Sequence, residues 1–419
     1  MKKHLKYDVV ILGCGVSGLA TAVVLAKNGW KVALVEKGEN LGGKATNAFV
    51  GTLCGLYFRS EKPQFDFCSE GFMKEFAFKV QSLSQLEPVF QKDGLQFLPY
   101  HQKALESAFE HYLEHYQIPV HYKSEVIGAE LEKDHIQQIQ VASSHGKSWL
   151  EAKAFVDASG TADLSALLQS PIIDEEIFQQ AHLTVAFSFQ QKASDPTLEF
   201  LFALAKAKQK GILKEALALA SVVPGQLATE KIYVKVPLLT PIKPGPLNVE
   251  KLKEEGIHHA KSIQAALKEF GPMFQHTQLV EVAKEVGVRT QTRHLGKSIL
   301  TYTDVLSAKK GEGTFTKGTW PMEFWEIAKP VQMEYLPFGD YYSIPDSALT
   351  SASCMNLFFA GRNISADAKA IASARVMGTC LQMGEQVAGI INRGFLSFLF
   401  HTKHERQELA RSPGRDRNG

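Results

Sequence analysis

The sequence predicts a two-domain α/β fold, and three observations predict it. A strand–turn–helix–strand unit opens the chain, and a second strand–turn–helix unit closes it. Between them the character changes to alternating strands separated by long charged helices. A chain built this way leaves its first domain and later returns to it.

The opening unit is Tyr7 to Thr46. Val9-Val10-Ile11-Leu12 is an uninterrupted apolar run, the mark of a strand buried on both faces. Gly13-Cys14-Gly15-Val16-Ser17-Gly18 makes the turn, and Leu19, Ala22, Val23 and Ala26 follow at helical spacing. Asn28-Gly29 ends the helix, residues 31–35 form a second apolar strand, and Glu36 stands at its tip. In this Rossmann-like arrangement Gly13 allows the tight turn, Gly15 lets a pyrophosphate reach the backbone, and Gly18 lets helix and strand pack closely. The helix N-terminus offers free N–H groups to phosphates, and Glu36 is placed to accept from a ribose diol. A glycine fingerprint alone is a weak sign; with strand, helix and acid in place it predicts dinucleotide binding. Leu41-Gly42-Gly43-Lys44-Ala45-Thr46-Asn47 is a second glycine loop, from which Thr46 and Asn47 can donate to the same ligand.

Residues 65–92, rich in phenylalanine, read as packing. Residues 103–116 form an amphipathic helix with Leu105, Ala108, Phe109, Tyr112 and Leu113 on one face. His101, His111, His115 and His121 lack a well-placed carboxylate and read as solvated or capping groups, so no metal is expected. Phe155-Val156-Asp157 is a short buried strand running into Ala158-Ser159-Gly160, small residues where a ligand approaches the carboxyl end of an open sheet. Thr161 or Asp163 is expected to cap the next helix.

From Pro171 the reading is an inserted α+β domain: strands over 182–190 and 231–238, helices over 197–222 and 249–269, and a proline-rich turn from Pro241 to Pro246. The last unit is the strand Leu357-Phe358-Phe359-Ala360-Gly361-Arg362, a polar turn, and a helix through Met377, Cys380, Leu381, Gly384, Val387, Ala388 and Ile391. The expected division is 1–170 nucleotide-binding, 171–284 cap, 285–310 bridging strand, 311–344 return to the cap, 345–395 nucleotide-binding again, and 396–419 a basic, disordered tail.

Composition narrows the function. A hydrophobic content of 45% with 21% charged residues describes an ordinary globular protein. A net charge of +2 gives no field for nucleic acid. No apolar run approaches the roughly 20 residues of a membrane span, and no signal peptide is visible, so a cytoplasmic location is expected. The 5 cysteines form no C-x-x-C and read as reduced thiols.

These motifs resemble the FAD-dependent oxidoreductases of the glutathione-reductase-like superfamily, and within it a family related to succinate dehydrogenase and fumarate reductase flavoproteins. The blocks that carry the resemblance are Gly13-x-Gly15-x-x-Gly18-x-x-x-Ala22 with Glu36, Gly42-Gly43-x-Ala45-Thr46, and Asp157-Ala158-Ser159-Gly160-x-x-Asp163-Leu164. Further ones are Gly287-Val288-Arg289-x-x-x-Arg293-x-x-Gly296, Tyr342-x-Ile344-Pro345, Ala360-Gly361-Arg362-x-Ile364-Ser365-Ala366-Asp367 and Ala372-Ser373-x-Arg375-Val376-Met377. The resemblance implies FAD, held by Gly13, Gly15, Val16, Ser17, Gly18, Glu36, Lys37, Gly43, Lys44, Ala45 and Thr46. It also implies contacts from Val126 to the adenine, and from Ala158, Ser159, Gly160, Gly361, Arg362, Ser365, Met377 and Gly378. The helix starting near Arg375 then points its N-terminus at the flavin pyrimidine ring, where reduced flavin carries negative charge. In similar chains an acid and a histidine follow a Trp-Pro pair; here Glu323 keeps the acid and Trp325 takes the histidine's place.

The expected activity is two-electron transfer between FAD and a small organic substrate, with an unknown electron donor or acceptor. An FAD monooxygenase and a non-catalytic flavin redox sensor are the alternatives. Arg289, Arg293, His294, Glu323 and Tyr342 are the candidate catalytic residues. Strand alternation over residues 288–296 would set Arg289 and Arg293 on one face as paired donors to a carboxylate. The competing expectation pairs them with acids such as Glu281 or Glu285.

Overall fold

The computed structural model describes residues 3–411 apart from 176, 191–194, 229, 244, 246 and 312–315, and of 3, 226–228 and 395–411 the backbone alone. The first half of the chain and its last strand build a parallel sheet in the order Leu357–Phe359, Ala154–Asp157, Val9–Leu12, Val32–Val35, Val120–His121. Its three middle strands are buried at every position, which is why their sequences are apolar runs and not alternations. The Val16–Lys27 helix leaves the sheet at the glycine turn and lies against the final helix. That crossing is close: a Cβ on Gly384 would sit 2.3 Å from the Ser17 carbonyl oxygen. Thr21 Oγ1 donates to the Gly384 carbonyl at 3.1 Å.

Two smaller sheets flank this core. One runs Lys3–Lys6, Gly146–Glu151, His135–Ser143, Glu125–Glu132; the other runs Thr52–Cys54, Gln96–Pro99, Val89–Phe90. The phenylalanine-rich stretch packs as expected, with Phe72 and Phe76 edge-on to Tyr112 and Phe109 of the Gln102–His115 helix.

The cap is a four-stranded antiparallel sheet in the order Ser221–Ala228, Lys231–Pro237, His182–Ser188, Leu279–Val282. Strand alternation divides its faces. Leu183, Val185, Phe187, Ile232, Val234 and Val236 form one core with Phe200 and Leu204 of the Pro196–Gln209 helix and Ile263 and Leu267 of the Val249–Phe270 helix. The opposite face carries His182, Thr184, Tyr233 and Lys235, with Thr184 directly across from Lys235. This face lies over the second glycine loop, where Thr184 Oγ1 donates to the Ala48 carbonyl at 2.8 Å and the Glu285 N–H to the Asn47 carbonyl at 2.9 Å.

Several expectations are corrected. Residues 285–310 are not a strand; isolated bridges at Gly287, His294, Gly296 and Leu300 tie them to four different partners. The helical stretch at 197–222 is a helix, Pro196–Gln209, capped by Asp195, which accepts from the Thr197 N–H at 2.7 Å. Gly211, at φ +70°, ends it, and a 3-10 turn Glu215–Leu219 leads into the next strand. The Asp163–Leu168 helix is capped by neither Thr161 nor Asp163 but begins after Ala162, at φ 58°. The final helix runs without interruption from Met377 to Arg411, so residues 396–411 are helical where a disordered tail is expected. The rest of that tail, Pro244 and Pro246 lie outside the described residues. No described helix is long and apolar enough to cross a membrane.

Candidate active site

The three glycines of the first turn are needed for three different reasons. Gly13 has φ +88°, and a Cβ there would fall 2.5 Å from the Ala158 carbonyl oxygen. A Cβ on Gly18 would fall 2.0 Å from the Gly13 carbonyl oxygen. A Cβ on Gly15 would meet no protein atom within 4 Å. Gly15 therefore borders space that the protein leaves free. Glu36 fixes the turn, accepting from the Cys14 N–H and the Gly38 N–H, each at 2.8 Å. Asp157, wholly buried at the end of its strand, accepts from the N–H and hydroxyl of Ser159 at 3.0 and 2.6 Å and from the Leu164 N–H at 3.0 Å. It thereby shapes the Ala158–Gly160 loop. The Arg362 guanidinium lies across Gly160, where a Cβ would sit 2.5 Å from Nη2, and donates to the Val288 carbonyl at 2.6 Å.

A cavity of about 260 Å³ opens beneath the polar face of the cap, its wall including Gln180, His182, Ser221, Lys235, Arg289 and Trp325. Arg289 donates to the Gln180 carbonyl and stacks on Trp325, its guanidinium carbon 4.4 Å from the ring centre. Burial, then the charge of Arg289, pulls the Lys235 ammonium below the usual lysine pKa. Burial, then the charges of Arg289, Lys235 and Arg375, holds His182 well below the ordinary histidine value, so its ring is neutral at pH 7. Both ring nitrogens of His182 are buried with no hydrogen-bond partner among the described residues. Behind Trp325 lies Glu323, whose two carboxylate oxygens accept from the indole N–H groups of Trp320 and Trp325, each at 2.7 Å.

The model of the FAD dependent oxidoreductase family matches residues 8–393. The chain belongs to this family. It is an FAD-dependent oxidoreductase, and FAD is its cofactor. A soluble pyridine nucleotide transhydrogenase of Hamiltonella defensa subsp. Acyrthosiphon pisum is 44% identical over 48 residues, 12% of this chain and 10% of that protein. The chain thus matches about a tenth of the length of that curated relative. Among solved structures, a geranylgeranyl bacteriochlorophyll reductase-like protein from Thermoplasma acidophilum is similar with a TM-score of 0.49 and 12% identity, over 97% of this chain and 84% of that one. An L-proline dehydrogenase from P. horikoshii gives 0.46 and 12%, over 94% and 95%. A p-nitrophenol 4-monooxygenase from Pseudomonas putida DLL-E4 gives 0.45 and 11%, over 94% and 82%.

The residues present fit FAD. The space beside Gly15 suits a pyrophosphate, and Ser365 Oγ, Thr379 Oγ1 and Arg375 Nε are buried polar atoms without partners among the described residues. Near that turn, a Cβ on Gly43 would lie 3.4 Å from the Gly15 Cα, and one on Gly361 would lie 2.9 Å from Ser17 Oγ. Four positions of the expected set have protein contacts of their own. Lys37 is exposed and pairs with Glu125 at 2.9 Å. Lys44 pairs with Glu285 of the bridge at 2.5 Å. Val126 sits opposite Val141 in a flanking sheet. Gly378 is small because a Cβ would lie 2.4 Å from the Gly55 carbonyl oxygen.

The five candidate catalytic residues do not assemble. Arg289 alone lines the cavity. Arg293 is buried elsewhere and pairs with Glu175 at 2.5 Å, not with Glu281 or Glu285. Those two acids are taken by Lys231 and Lys44, respectively. His294 is buried under the sheet, its ring stacked on Phe359 at 3.8 Å, with Ser165 on one nitrogen and Asp157 3.1 Å from the other. Tyr342 is fully buried and hydrogen-bonds Ser373 Oγ at 2.8 Å. Glu323 stands behind the wall. Sequence reasoning missed His182 and Lys235. The signal was the pattern Lys231-Ile232-Tyr233-Val234-Lys235, which sets a lysine on a polar face opposite Thr184.

A structural role for Arg293 has a direct consequence. Arg293→Met leaves Glu175 without its cation, at a cost on the order of 3 kcal/mol in stability. A lower urea midpoint is expected, with FAD content and turnover per flavin unchanged in the folded fraction. An unchanged midpoint with lost turnover would overturn the assignment.

Proposed function

We propose that this oxidoreductase exchanges two electrons between FAD and a small carboxylate-bearing substrate held in the cavity of the cap. One observation carries the reading: Lys235 and Arg289 bring two cations to the wall of a cavity that the neutral His182 also lines. FAD, when bound, supplies the redox chemistry. Lys235 and Arg289 hold the carboxylate by charge-assisted hydrogen bonds. Trp325 fixes the plane of the Arg289 guanidinium, and so the direction of its free donors. His182, kept neutral by burial and the cations around it, adds no charge to that wall and leaves the carboxylate to Lys235 and Arg289. We assign substrate recognition to the inserted domain, 171–284, together with Arg289 of the bridge. The parallel sheet with its glycine turn supports a place for the family among the glutathione-reductase-like flavoproteins.

Anaerobic mixing of the holoprotein with small carboxylates and with their neutral amides tests this reading. Saturable bleaching of the flavin by a carboxylate, and not by its amide, is the expected result. It would also favour a dehydrogenase or reductase over a monooxygenase, which needs dioxygen. Losing one charge-assisted hydrogen bond costs about 1.5–3 kcal/mol. Lys235→Met should therefore raise the half-saturating concentration by about tenfold to a hundredfold. Equal response to acid and amide, or an unchanged half-saturation in the variant, would refute it.

A further inference from the structure

The Pro196–Gln209 helix of the cap is apolar on two opposite faces. Phe200, Ala203, Leu204 and Ala207 are buried against the cap sheet and its companion helix, as a surface helix requires. The outward stripe should then be polar, and it is not. Leu198, Leu201 and Phe202 are 67%, 46% and 56% exposed, and Ala205 continues the stripe at the same helical spacing. Ile212, just past the end of the helix, is 51% exposed. An apolar ridge of this kind on a globular surface marks a contact with something else.

The charges around the ridge indicate what that is. Helical spacing sets Lys206 on one flank of the stripe and Lys208 on the other. Lys210 and Lys214 follow, and all four are exposed. Lys208 pairs with Glu215, and Lys206 Nζ lies 5.1 Å from the Phe202 ring centre. Lysine stems lie along apolar surface while their ammonium groups reach outward, which matches the depth difference between acyl chains and headgroups. None of Leu198, Leu201, Phe202 or Ile212 lines the cavity beneath the cap. We infer that the outer face of the Pro196–Gln209 helix docks this protein on an anionic lipid surface, with Leu198, Leu201, Phe202 and Ile212 entering the interface and the lysines meeting the headgroups. The chain runs from Lys214 into the Glu215–Leu219 turn, and Leu219 lines the cavity. The inference does not depend on what the cavity binds.

The full-length holoprotein, floated with phosphatidylcholine vesicles with and without phosphatidylglycerol, tests it. Binding to the anionic vesicles only, weakened by added salt, is expected. The double variant Leu201→Ser, Phe202→Ser should lose at least about tenfold in partitioning while keeping its FAD and its melting temperature. Phe202→Trp gives a second readout: its added fluorescence should shift to the blue on mixing with anionic vesicles. A wild type that stays with the aqueous fraction at low salt would overturn the inference. So would a double variant that floats as well as wild type. A concentration-dependent dimer that the double variant abolishes, with no vesicle binding, would assign the ridge to a second copy of the chain instead.

Discussion

Gly15→Val is expected to yield a folded, colourless protein that no longer retains FAD. Gly15 has φ −81° and ψ −177°, extended backbone that valine adopts without strain. The Cβ position meets no protein atom within 4 Å, so nothing in the fold resists the side chain. What resists it is the ligand, because the same space must take the pyrophosphate against the N–H groups of the Val16–Lys27 helix. Displacing two such hydrogen bonds, each worth about 1.5–3 kcal/mol, weakens binding by about a hundredfold to ten-thousandfold. Gly18→Val is the control. Its Cβ would lie 2.0 Å from the Gly13 carbonyl oxygen, so that variant loses the fold along with the cofactor. Flavin absorbance after gel filtration, beside the melting temperature of protein stripped of FAD, separates the two. A yellow Gly15→Val protein with stoichiometric FAD would mean the pyrophosphate lies elsewhere.

The contrast between these glycines marks how far the sequence could be read. The Val9–Val35 unit was legible because all its information is local: an apolar run, three glycines and an acid, each next to its task. Its pairing with Ala154–Asp157, and that strand's pairing with Leu357–Phe359, left only indirect traces, since parallel strands are joined through long crossovers. The arginine segment failed for a definite reason. Period-two alternation holds only where a ladder of hydrogen bonds keeps the backbone pleated, and residues 288–296 have isolated bridges instead. Arg289 and Arg293 therefore part company, one toward Trp325 and the other toward Glu175. Lys235 failed differently. The alternation of its strand was visible, but which face meets helices and which meets the glycine loop is decided by distant residues. His294 and Tyr342 read as reactive groups because burial is invisible in a single side chain; both turn out to be buried core residues, His294 stacked on Phe359 and Tyr342 hydrogen-bonded to Ser373.

Glu323→Gln is expected to cost more stability than any other single substitution around the cavity, while leaving turnover per bound flavin close to wild type. Its carboxylate accepts both indole N–H groups at 2.7 Å. It is also the acid that counters the surrounding cations. Burial pushes its pKa up, but the charge of Arg375, the Trp320 hydrogen bond and the charges of Arg289 and Lys235 outweigh burial and hold it below the ordinary glutamate value. A carboxylate held low is a poor base at neutral pH, which argues against proton transfer through Glu323. Glutamine keeps one acceptor oxygen, turns an amide toward the second indole, and removes the carboxylate that opposes the three cations Arg375, Arg289 and Lys235. Removing one partner from a buried charge cluster costs about 3–5 kcal/mol. The sign with pH follows. A carboxyl whose pKa is depressed by folding contributes stability that is fully present above the unfolded value, about 4.3, and is lost as pH falls from there through the lower folded value. The gap in urea midpoint between wild type and variant should be full near pH 7 and narrow below about pH 4. If Glu323 were instead the proton carrier, Glu323→Gln would slow anaerobic flavin reduction by about a hundredfold or more with the urea midpoint unmoved.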